Sequence, residues 1–208
     1  LSSFTLGSSA GGGAGSGGAG SADQAAVARM CEAAEKGDVA LVARIVASGV
    51  SVNAEDKLHR SAFLHAARGG QLAVMQHLLK LGANMRAVDR DGRNALHYAA
   101  RRGCADVVSW LVDQGMSVTS TDSHALTPLH QATLGKSPAV LEVLLQAGAD
   151  LNARDANGAS ALSLARQFGA AASEEANATV QLLERWAAVF ANAEAGAARR
   201  KISMGKGL

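Results

Sequence analysis

Five aspartates, Asp23, Asp56, Asp89, Asp122 and Asp155, stand 33 residues apart along the chain. The same step separates Gly49, Gly82, Gly115 and Gly148, and also Ala33, Ala66, Ala99, Ala132 and Ala165. Bulky apolar residues keep it too: Met30, Phe63, Leu96, Leu129 and Leu162, then Leu41, Val74, Val107 and Val140, then Ile45, Leu78, Leu111 and Leu144. Six columns held in register over four or five units exclude coincidence and make the chain a repeat array. No unit of this length buries its own apolar face, so stability has to come from stacking on neighbours.

Each unit reads as a turn followed by two short helices. An aspartate opens the turn, and Gly92 and Gly158 follow three residues later, where a positive φ is useful. Thr127-Pro128 is an N-cap with proline in the first helical position, and Asn94, Ser61 and Ser160 stand in the equivalent place. The first helix is rich in alanine ("LHYAARRG") and is expected to stop at Gly70, Gly103 or Gly169. In the fourth unit Lys136 replaces that glycine, and Gly135, one residue earlier, is expected to make the break. The second helix ("AVMQHLLKLG", "AVLEVLLQAG") has apolar residues at helical spacing and also stops at glycine. The chain is 48% hydrophobic but only 3% aromatic, so its core is aliphatic and suits closely spaced helices.

"TPLHQA" (Thr127 to Ala132) and "NALHYAA" (Asn94 to Ala100) resemble the signature of the ankyrin repeat family, and "LLQAGADLNARDANG" (Leu144 to Gly158) resembles its second-helix end and hairpin. "SAFLHAA" and "SALSLA" match less well, with Leu64 and Ser163 where the family has histidine. The resemblance covers residues 23 to about 190. It implies an all-α solenoid of about five stacked helix-turn-helix units with β-hairpin-like turns: 23–55, 56–88, 89–121, 122–154 and 155–195. The last unit is expected to hold an insertion around Ala170 to Glu175 and a long capping helix, with Trp186 packed on Phe190 and a stop at Gly196. The Gly/Ser/Ala-rich segment 1–22 and the basic tail 196–208 are expected to be flexible. The resemblance also makes His97 and His130 structural rather than catalytic or metal-binding.

Chemistry of other kinds finds no support in the sequence. No phosphate-binding loop, zinc spacing or nucleophile with its base is present, so no enzyme activity, metal or cofactor is implied. Cys31 and Cys104 fit no disulfide framework and read as inert small hydrophobes in a reducing, intracellular compartment, cytoplasm or nucleus. No apolar run reaches the ~20 residues of a membrane span. Family members bind through their turns and the exposed face of the first helices. Carried over by position, this singles out Lys57, Arg60, Arg68, Arg90, Arg93, Arg101 and Arg102, followed by His124 and Leu126 in the fourth unit. Of the ten positions so carried over in the second and third units, seven are cations and one is an acid, Asp91, although the whole chain carries only +2. The expected function is a non-enzymatic adaptor or scaffold, monomeric on its own, holding an acidic or extended segment of another protein. Nucleic acid or another polyanion on the same groove, or a regulatory role inside a larger enzyme or channel, are the alternatives. Asn53 and Asn152 resemble the hairpin asparagines that oxygen-dependent hydroxylases modify in many ankyrin repeats. Ser203, three residues after Arg200, has the spacing that basophilic kinases read. Circular dichroism of the chain should be helical, and a chelator should leave its melting curve unchanged.

Overall fold

The computed structural model describes residues 19–169 and 174–204, with side chains described for 23–167 and 174–192. The helices come in pairs: α1 (Ala19–Lys36) with α2 (Val39–Ala47), α3 (Ala62–Gly69) with α4 (Leu72–Lys80), and α5 (Ala95–Arg102) with α6 (Ala105–Asp113). Next come α7 (Pro128–Leu134) with α8 (Pro138–Gln146), and α9 (Ala161–Gly169) with α10 (Glu174–Met204). The odd-numbered helices pack side by side in one row, and α2 lies on α4, α6 on α8 and α8 on α10 in the other. The turns that precede α3 and α9 close with single antiparallel bridges, Glu55 to Ser61 and Arg154 to Ser160. The fold is the all-helical repeat solenoid that the period predicts.

Every apolar column points into the stack. Phe63, Leu96 and Leu129 are fully buried, as are Val74, Val107 and Val140, and Leu78, Leu111 and Leu144. Between the first helices sit alanines with no exposed surface, Ala66, Ala99 and Ala132 among them. Their small size lets the helices approach until backbone meets backbone. A methyl group on Gly69 would collide with the Glu35 carbonyl, and one on Gly135 with that of Arg101.

That contact corrects the expectation for the fourth unit. Gly135 is right-handed (φ −78°), and Lys136 itself takes the left-handed conformation (φ 53°) that Gly70 and Gly103 take in the preceding units. Gly135 is needed for its missing side chain, not for its freedom. The turn tips show the same substitution, because His59 (φ 58°) and Ala125 (φ 56°) adopt the conformation of Gly92 and Gly158.

The caps divide. Asn94 and Thr127 accept from the backbone of His97 and His130, and Ser160 accepts from Ser163 at 3.2 Å. Ser61 makes no such bond, and its buried hydroxyl has no partner among the described residues. Leu64 in the histidine place leaves it without the reciprocal side chain that completes the cap elsewhere.

At the ends, α1 begins at Ala19 and runs unbroken past Asp23, so the first aspartate of the period lies inside a helix rather than at a turn. At the other end Trp186 packs on Phe190 with ring centroids 5.6 Å apart, as their spacing predicts. The stop expected at Gly196 is not there. α10 continues to Met204, through most of the stretch expected to lack structure. A glycine within a helix costs only ~1 kcal/mol, and the alanines around this one favour the helix. Of the segment 1–22 expected to be flexible, residues 1–18 lie outside the described residues, while 19–22 are helical. Of the insertion expected around 170–175, residues 170–173 lie outside them, while Glu174 and Glu175 begin α10.

Two substitutions test this packing with opposite signs. Leu111→Ala should destabilise the chain by about 2–5 kcal/mol, as truncation of a fully buried leucine does. Lys136→Gly should instead stabilise it by roughly 0.5–1 kcal/mol, by relieving a left-handed non-glycine residue. Denaturant titration measures both.

Candidate interaction surface

The turns project as fingers, and each finger is held by its aspartate. One carboxylate oxygen accepts from the backbone two and four residues on: Leu58 and Arg60 for Asp56 (2.8 and 3.0 Å), Asp91 and Arg93 for Asp89 (2.9 and 2.8 Å). Asp122 binds His124 and Leu126 in the same way (2.9 Å each), and Asp155 binds Asn157 and Ala159 (2.9 and 2.8 Å). The other oxygen takes a side chain from the first helix nine residues later. That partner is His65 Nε2 for Asp56 (3.0 Å), the Tyr98 hydroxyl for Asp89 and Gln131 Nε2 for Asp122 (3.4 Å). Burial alone would raise Asp56 and Asp89. Bonds from Arg60 and His65 to the one, and from Tyr98 and Arg93 to the other, outweigh it and hold both below the usual carboxylate range.

Two further contacts tie each finger to its neighbour. His97 Nε2 lies 3.0 Å from the Leu126 carbonyl, and His130 Nε2 lies 3.2 Å from that of Ala159. A carbonyl only accepts, so Nε2 carries the proton, and Nδ1 is left to accept from the backbone of Asn94 or Thr127. Burial holds both rings below their ordinary value and therefore neutral. In the first unit Cys31 fills this place, with its sulfur 3.9 Å from the Arg60 carbonyl and its thiol pushed up to about 12 by burial. The fingertips also form a backbone ladder: Arg90 N–H donates to the Leu58 carbonyl (3.0 Å), Ser123 to Asp91 (2.8 Å) and Ala156 to His124 (2.9 Å).

Within this frame the seven basic residues separate. Arg60 is engaged by Asp56 through two nitrogens (2.9 and 2.7 Å), and Arg93 pairs with Asp89 and Asp91. Arg68 grips Glu35 across the first two units, with contacts of 2.9 to 3.1 Å. Reversing the charge of Arg68 would therefore set two carboxylates together where the first two units meet, so this arginine is not an independent surface charge. Lys57, Arg90, Arg101 and Arg102 are exposed and form no ion pair with any described residue. Lys57 and Arg90 stand on fingers, and Arg101 and Arg102 end a first helix. His124 is exposed on the fourth finger, while Leu126 is half-buried and gives its carbonyl to His97.

The two asparagines also differ. The Asn53 amide bridges to the next unit, donating to the Gly82 carbonyl (3.2 Å) and accepting from Asn84 N–H (2.7 Å). Asn152 is exposed and makes no side-chain bond to a described residue. The side chain of Ser203 lies outside the described residues.

A family model described as ankyrin repeats (3 copies) matches residues 30–122, and one described as ankyrin repeats (many copies) matches residues 111–165. The chain belongs to the ankyrin repeat family. Ankyrin repeats are in general protein–protein interaction modules and are typically not enzymes. No curated protein matches this chain significantly. Among the described residues there is no cluster of metal-ligating side chains, and no helix is long and apolar enough to cross a membrane.

The two buried histidines set a pH dependence. Unfolded, they titrate near 6.5, and folded they titrate lower, so the unfolded chain binds more protons as pH falls. Their effect is absent above pH ~6.5 and destabilises the fold progressively below it. The melting temperature should drop between pH 7 and pH 5. His97→Leu, which installs the side chain that Leu64 carries at the same place, should reduce that drop. An equal drop in the variant would assign the effect to other groups.

Proposed function

We propose that this ankyrin array is a non-enzymatic adaptor or scaffold that holds an acidic or extended segment of another protein against its fingers and first helices. One observation supports this most. Carboxylates take up Arg60, Arg68 and Arg93, yet Lys57, Arg90, Arg101 and Arg102 remain exposed and form no ion pair with a described residue. Unpaired like charges at repeat spacing repel one another, and an acidic ligand relieves that repulsion.

Nucleic acid is the weaker reading of the same charges. Single strands are held largely by stacking on aromatic rings. Tyr98 is the aromatic residue of the second and third units' finger face, and it is half-buried with its hydroxyl on Asp89 and Arg93 over its ring at 5.4 Å.

The triple variant Arg90→Glu, Arg101→Glu and Arg102→Glu should keep the wild-type melting curve and bind a fluorescent glutamate-rich peptide at least about tenfold more weakly. Wild-type binding should fade as the screening length shrinks from about 10 Å at 0.1 M salt to about 3 Å at 1 M. A single-stranded oligonucleotide of equal charge should bind less tightly than the peptide. Unchanged peptide affinity in the variant would remove the basic face as the site, and tighter binding of the oligonucleotide would favour the nucleic-acid reading.

A further inference from the structure

The fingertip ladder has a register, and its first position is vacant. In each rung the residue after a finger's aspartate donates to the carbonyl of the residue two after the preceding aspartate: Arg90 to Leu58, Ser123 to Asp91, Ala156 to His124. By the same register, Lys57 N–H should donate to residue 25. Ala25, however, lies inside α1, where its carbonyl belongs to the helical ladder. The first unit has no finger, and Lys57 N–H has no bond to any described residue.

A cavity of ≈ 450 Å³ lies beside this vacant rung. Its walls include Val27, Ala28 and Gln24 of α1 and Lys57 and Leu58 of the first finger. Leu58 is 44% exposed, one of the few large apolar side chains outside the core. Within the cavity wall Arg60 is bound by Asp56, and Glu55 is bound by His59 at 2.9 Å. The Lys57 ammonium is the cation left unpaired there.

We propose that the N-terminal edge of the finger ladder is a docking site for an extended peptide of a partner protein. A peptide carbonyl accepts from Lys57 N–H and continues the ladder by one rung. An apolar side chain next to it fills the cavity between Val27, Ala28 and Leu58, and an acidic residue meets the Lys57 ammonium. As in strand addition to a sheet edge, a backbone bond supplies register and a side-chain pocket supplies specificity, here with one bond per rung. The proposal rests on the reading of the chain as a protein-interaction module but not on its basic helix end.

The test is a selection from a displayed library of short random peptides on the full chain, followed by binding of the enriched peptide to Leu58→Asp and Val27→Asp variants. The selected peptides should share an apolar residue beside an acidic one. Each variant should weaken the enriched peptide about tenfold or more, the loss expected when one apolar contact is removed. Leu58 is largely solvent-facing, so its variant should melt like the wild type. In addition, adding the peptide should shift the Lys57 amide resonance and slow its hydrogen exchange in the wild-type chain. Selected peptides that bind Leu58→Asp as well as wild type, or that leave the Lys57 amide unshifted, would overturn the proposal. So would a Lys57 amide already protected in the free chain and freed by deleting residues 1–18, which would assign the cavity to the chain's own N-terminal segment. The basic-face assay uses variants at Arg90, Arg101 and Arg102, so either reading can fail while the other stands.

Discussion

The whole array depends on one small carboxylate per unit. A finger is a short reversal closed by few backbone bonds of its own, such as Asp89 N–H to the Arg93 carbonyl, and its remaining N–H groups need other partners. The aspartate at its start collects two of them on one oxygen and a first-helix side chain on the other. The finger is thereby fixed to its own unit, with its carbonyls standing where the preceding histidine and the following fingertip reach them. Both ends of the array lack part of this arrangement. Leu164 offers Asp155 no polar group at the place where His65, Tyr98 and Gln131 bind their aspartates, and Asp23 has no finger to hold.

The same carboxylates reduce the positive charge of the middle units. Arginine is suited to this, because its planar group engages a carboxylate through two nitrogens, as Arg60 does with Asp56. Half-buried pairs of this kind are screened less by salt than an exposed lysine is. Charge counted by composition therefore overstates the charge that a partner meets. The basic character that remains lies on two fingers and one helix end.

How much of this is legible in the sequence depends on the range of the interaction. The period, the helix pairs and the Trp186–Phe190 contact come from spacings inside one unit or from identities repeated down a column, and the structural role of the histidines comes from the family resemblance. The Arg68–Glu35 pair is legible in principle: Glu35, Arg68 and Arg101 stand at one repeat step, so an acid and a base face each other across the first two units. Reading columns for sameness overlooks this, and reading them for complementarity finds it. The left-handed place of Lys136 is hidden because glycine has two uses, an absent side chain and a free φ, and sequence alone does not say which one Gly135 serves. The unpartnered Ser61 hydroxyl is not legible, because Ser160, also without a histidine three residues on, still accepts from the Ser163 N–H. The run of α10 through Gly196 shows that a single glycine does not terminate a helix rich in alanine.

The aspartate's choice of partners has a consequence for how such a chain can change over generations. It binds backbone at the second and fourth residues after itself, and it makes no hydrogen bond to the residue immediately after it, whose N–H reaches the preceding fingertip in the three later fingers. Lys57, Arg90, Ser123 and Ala156 occupy that place in four successive fingers, a cation twice, a hydroxyl and a methyl, over one unchanged loop. The residues that maintain the loop and those that face outward are thus different residues. Drift at the second set changes the outward chemistry of the fingers while the bonds that hold the loop stay in place, so single substitutions suffice to alter that face.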